Sequence, residues 1–76
     1  MYRTLIIIVQ NQQNYEAYCP DLPGCSAVGN TPEEARQNIR DAITTRLQDM
    51  IRNKQPIPLP HSTVEFIDIA FPKMTI

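Results

Sequence analysis

Tyr18-Cys19-Pro20-Asp21-Leu22-Pro23-Gly24-Cys25-Ser26-Ala27-Val28-Gly29-Asn30-Thr31-Pro32-Glu33-Glu34-Ala35 joins a strand to a helix through a loop whose backbone is largely set by its own residues. Two prolines and a glycine fall between Pro20 and Gly24. Proline fixes φ, and glycine opens turn conformations closed to other residues. Gly29-Asn30 turns the chain again. Thr31-Pro32-Glu33-Glu34 then predicts a helix start, with Thr31 as N-cap, Pro32 at the first helical position and Glu34 as the reciprocal partner of a capping box.

Ahead of the loop, Leu5-Ile6-Ile7-Ile8-Val9 is a continuous apolar run that predicts a strand buried on both faces. Asn11-Gln12-Gln13-Asn14 is a polar turn, and Tyr15 to Tyr18 predicts a second strand closing an antiparallel hairpin. Ser26 to Gly29 is a short third strand. Beyond the loop, Ala35, Ile39, Ala42, Ile43, Leu47, Met50 and Ile51 recur at helical spacing, so one apolar stripe runs along a helix from about Pro32 to Asn53. Gln55-Pro56-Ile57-Pro58-Leu59-Pro60 forbids helix and predicts an extended crossing. Thr63 to Phe71 predicts a last strand, with Val64, Phe66 and Ala70 on one face and Ile67, Ile69 and Phe71 on the other. The expected fold is α+β, in the order β-β-β-α-β, a small antiparallel sheet with one helix on one face. One helix cannot cover both apolar faces, so a second copy or another protein is expected there.

The chain has 76 residues and reads as one domain, 1–76. A domain of this size is marginally stable alone, which favours oligomerisation. Cys19 and Cys25 are near enough in sequence to bridge, but Met1 runs straight into a strand-like segment without a signal peptide, so a reducing cytoplasm and free thiols are expected. No apolar run approaches a membrane span. Seven Lys and Arg stand against eight Asp and Glu, and Arg3 alone precedes position 36, so no phosphate-binding face is expected and no direct nucleic-acid contact.

Chemistry is sparse. His61 is the single histidine. A nucleophile pair would need it to meet Cys19 or Cys25 beside an orienting group. A zinc site from the same three residues lacks a fourth ligand. Among the acids, Glu34 is a cap, Asp41 lies on the solvated helix face, and Asp49 has Arg46 and Arg52 as ion-pair partners. No catalytic residue, metal site or cofactor is expected, and the chain reads as a non-enzyme. Asp21 is open to two roles, capping the turn or contacting a partner, as an exposed acid. Leu22, a large apolar side chain on a proline-fixed loop, either plugs the core or projects into a partner.

Pro20-Asp21-Leu22-Pro23-Gly24-Cys25, the Gly29-Asn30 turn and Thr31-Pro32-Glu33-Glu34-Ala35 together resemble the HicB-like antitoxin family pattern, and the helix and the proline crossing follow it more loosely. The resemblance implies a fold similar to a truncated ribonuclease H, assembly as dimers or tetramers, and a role in binding a small basic HicA-type mRNA-cleaving toxin and occluding its active site. It marks Pro20 to Cys25 as a partner-binding or structural motif. Many family members carry a C-terminal DNA-binding module. Here the sequence ends at Ile76, directly after the last expected strand, so none is expected. The alternative is a stand-alone oligomeric domain with a structural or other binding role and no toxin.

Overall fold

The computed structural model describes residues 1–72. β1 (Ile7–Gln10), β2 (Tyr15–Tyr18) and β3 (Ser26–Gly29) form an antiparallel sheet in that order, followed by α1 (Pro32–Arg52). The second and third strands occupy the residues expected of them. β1 starts two residues after the apolar run does. Ile7 pairs with Tyr18, which sets Leu5 and Ile6 opposite Pro20 and Cys19. Pro20 has no N–H, and the Cys19 N–H is already donated to the Cys25 carbonyl at 3.2 Å, so the ladder stops at Ile7.

Both ends of α1 follow local chemistry. At the start, the Thr31 hydroxyl accepts from the Glu34 N–H at 3.0 Å. The Glu34 carboxylate reaches the Asn30 N–H at 3.2 Å, one residue before the Thr31 N–H that a standard capping box would use. At the other end, Lys54 N–H bonds to Ile51 and Gln55 N–H to Met50, with Lys54 at a φ of 55°. These bonds make a Schellman stop with lysine where glycine is usual.

Sheet register puts Ile8, Tyr15, Ala17, Ala27 and Gly29 on the face beneath α1. There Ala17, Cys19, Leu22, Cys25, Ala35 and Ile39 make the core, with Ile6, Ala42, Ile43, Leu47 and Met50 packed around it. Ile51, the last residue of the expected stripe, stays exposed. Gly29 is where sheet and helix come closest: a Cβ built there would lie 2.4 Å from the Ala35 nitrogen. Asn38 fixes the same contact by donating to the Val28 carbonyl at 2.7 Å.

Two expectations change. The first strand is not buried on both faces in the single chain: Ile8 is 37% and Val9 41% exposed. The expected fourth strand, Thr63 to Phe71, pairs with no strand among the described residues, and every residue from 63 to 72 is exposed. The radius of gyration is 16.2 Å, against about 11 Å for a compact chain of this length. The long axis of 59 Å has the same cause, a terminal arm projecting from a small body. A strand is held by its neighbour's backbone, and among the described residues this segment has none.

Candidate interaction surface

The Pro20–Cys25 loop consists of two successive turns. Leu22 N–H donates to the Cys19 carbonyl at 3.1 Å across Pro20-Asp21, and Cys25 N–H to the Leu22 carbonyl at 3.0 Å across Pro23-Gly24. Gly24 has a φ of +84°, so the second is a type II turn with proline and glycine in their favoured places. The Cys19–Cys25 backbone bond closes the base, and Arg46 from α1 donates to the Pro23 carbonyl at 3.2 Å. Arg46 thus braces the loop, while Asp49 pairs, among the described residues, with Arg52 at 3.2 Å.

The rigid loop delivers Leu22 and Asp21 inward. Leu22 is 1% exposed and fills the core. Asp21 is 2% exposed, and its carboxylate serves neither a local turn nor an outward contact. Oδ1 accepts from the Ser62 hydroxyl at 2.7 Å, the Ser62 N–H at 3.1 Å and the His61 N–H at 3.3 Å. His61 Nδ1 lies 3.2 Å from the same oxygen and 3.3 Å from the Leu59 carbonyl. Both neighbours are acceptors, so this nitrogen carries the hydrogen. Oδ2 accepts from Thr4 Oγ1 at 3.3 Å, and Thr4 in turn lies 3.3 Å from Cys19 Sγ, whose S–H completes the chain of donors. These bonds, the Ser62 hydroxyl foremost, hold the Asp21 carboxyl below the usual carboxylate range although burial opposes them.

Asp21 therefore ties the loop to the root of the arm. Tyr2 makes a second tie, its hydroxyl donating to the Pro58 carbonyl at 2.8 Å. Ser62, Thr4 and Tyr2 carry no motif, and 41 residues separate Asp21 from Ser62, so nothing local in the sequence marks the contact.

Cys19 and Cys25 are buried free thiols, and burial pushes the Cys25 thiol up. A raised thiol is a poor nucleophile at neutral pH and a good packing group. His61 is exposed and faces Asp21, not the sulfurs. Among the described residues no three His, Cys, Asp or Glu side chains gather as metal ligands do.

What the molecule offers outward is apolar. The sheet face away from α1 carries Ile7, Val9, Tyr18 and Val28, with the last three 41%, 37% and 52% exposed, around a central exposed Glu16. The arm adds Val64, Phe66, Ile67, Ile69 and Phe71. Among the described residues no helix is long and apolar enough to cross a membrane.

A three-stranded sheet under one helix, with a motif loop braced inside and an apolar face left outside, defines a small α+β domain that presents one bare sheet face. The chain belongs to the family described as HicB_like antitoxin of bacterial toxin-antitoxin system, whose model matches residues 2–72. A Synechocystis protein, UPF0150 protein ssr1765, is 40% identical over 55 residues, covering 72% of this chain and 70% of the relative. A Helicobacter pylori UPF0150 protein is 33% identical over 66 residues, covering 86% and 92%. In Haemophilus phage HP1, an uncharacterized 14.9 kDa protein of the rep-hol intergenic region is 29% identical over 63 residues; the chain spans 47% of its length. No solved structure matches the chain.

Proposed function

We propose that this protein is an antitoxin-type binding protein that neutralises a small, basic HicA-type mRNA-cleaving toxin in the cytoplasm by covering its active site, without catalysis of its own. The family match over residues 2–72 carries the reading. The bare sheet face supports it: Ile7, Val9, Tyr18 and Val28 form an apolar contact area, and Glu16 at its centre suits a basic partner. Asp21, held inside by Ser62 and Thr4, is not the acid that meets the toxin. Assembly as a dimer or tetramer, and a fourth strand completing a sheet similar to a truncated ribonuclease H, belong to the same reading. The arm's exposed apolar residues support both.

The test is a tagged pull-down from native cells, read by mass spectrometry, followed by an RNA-cleavage assay on whatever is recovered. Stoichiometric recovery of a small basic protein whose cleavage of RNA stops on adding this chain is the expected result. Glu16→Lys should then weaken the complex about tenfold or more. Recovery of the bait alone as a discrete oligomer contradicts the antitoxin role and favours the stand-alone domain.

A further inference from the structure

A groove of about 520 Å³ opens between α1 and the residues that lead into β1, Met1 to Thr4 and Ile6. Its apolar lining includes Ile6, Ile39, Ile43 and Leu47, and Arg36 and Arg40 stand at its rim. Among the described residues β1 is an outer strand, so a fourth strand laid along its edge and on past the lead-in segment would turn alternate side chains toward this groove and the others toward the bare sheet face.

The arm has the composition for that place. Ile67, Ile69 and Phe71 share one face with Glu65, and Val64, Phe66 and Ala70 share the other with Asp68, so each face is mostly apolar and carries one acid. Glu65 complements Arg36 and Arg40. The opposite sheet edge is a poorer acceptor, because β3 is Ser26-Ala27-Val28-Gly29 and offers one large apolar side chain. The arm's own root, however, is fixed at Asp21 by Ser62 and His61, and from there the arm leaves its own body bare.

We propose that the arm, residues 63–71, is the fourth strand of a second copy, laid along that copy's β1 edge with Ile67, Ile69 and Phe71 in the groove, and that the exchange is reciprocal. The inference rests on the reading that a fourth strand completes the sheet, and it names the chain that supplies it. Each arm offers on the order of 600 Å² of apolar surface, so two arms with their two receiving grooves clear the roughly 1,000 Å² that a specific interface needs. Asp21 acts as a positioning residue, setting where the arm departs.

The experiment is isotope-filtered NMR on a mixture of labelled and unlabelled full chain, with no toxin present, so its failure leaves the antitoxin reading standing. Expected are intermolecular contacts from Ile67, Ile69 and Phe71 to Ile39 and Ile43 in a dimer. A monomer at every concentration, contacts confined to one chain, or contacts between the two arms alone would each overturn the proposal. Ile67→Pro removes a ladder donor and Glu65→Arg reverses the charge facing Arg36 and Arg40. Both should raise the dimer dissociation constant at least tenfold while circular dichroism keeps the α1 signal. Dimers that dissociate as the parent does, in both variants, would sink the assignment.

Discussion

The segment from Tyr18 to Asn53 and the segment from Thr63 to Pro72 are comparably apolar in places, yet one is closed and the other bare. In the first, each turn and cap is satisfied within a few residues: the two proline turns, the Thr31 and Glu34 bonds, the Schellman stop. In the second, Phe66 is 95% and Phe71 86% exposed. The difference teaches where the stability of this domain lies. A loop and a helix carry their own hydrogen-bond partners, whereas a strand borrows them from a neighbour. Hence the first region is closed within one chain, while the second stays exposed and pairs with no strand among the described residues.

The largest effects should come from the closed region. Leu22→Ala empties a fully buried site in a six-residue core and should cost about 3 kcal/mol in urea unfolding. The matching change in the arm, Phe66→Ala, should cost less than about 0.5 kcal/mol when unfolding is followed at concentrations too low for association. Equal losses would erase the distinction between the two regions. Gly29→Ala places a methyl against the Ala35 backbone and should cost about 2 kcal/mol. An unchanged midpoint would show that α1 can lift off β3 without loss.

Next comes the tie between the regions. Asp21 is depressed in the folded chain, chiefly by the Ser62 hydroxyl, and titrates near 4 when unfolded. Its contribution is therefore fully present above about pH 4 and is lost as pH falls through the lower folded value. Acid titration should loosen the arm's root below pH 4, read as faster amide exchange at His61 and Ser62, and Asp21→Asn should flatten that dependence. An acid limb of the same size in the variant would assign it to other groups. The smallest effect is at the helix stop. Lys54→Gly relieves the left-handed backbone and should stabilise by up to about 1 kcal/mol; a loss instead would mean that the lysine side chain contributes more than its backbone costs.

Much of the closed region was legible in the sequence because its causes are local. Pro20, Pro23 and Gly24 dictate turns, Thr31 and Pro32 start a helix, and the stripe from Ala35 to Met50 chooses its face. Leu22 stayed open between core and partner until the two turns fixed its direction. The tie from Asp21 to Ser62 was not legible, since it joins residues 41 apart that share no pattern. Nor was the late start of β1, which depends on register against Pro20. The alternation from Thr63 to Phe71 predicts a strand, and the described chain shows none there: periodicity reports which faces want cover, not whether one chain provides it.

Amide hydrogen exchange at two protein concentrations tests the central contrast most directly. The account predicts that Ala17 and the middle of α1 are protected at both, while Val64 to Phe71 are protected only at the higher one. Protection of the arm that does not change with concentration, or none at either, would contradict it.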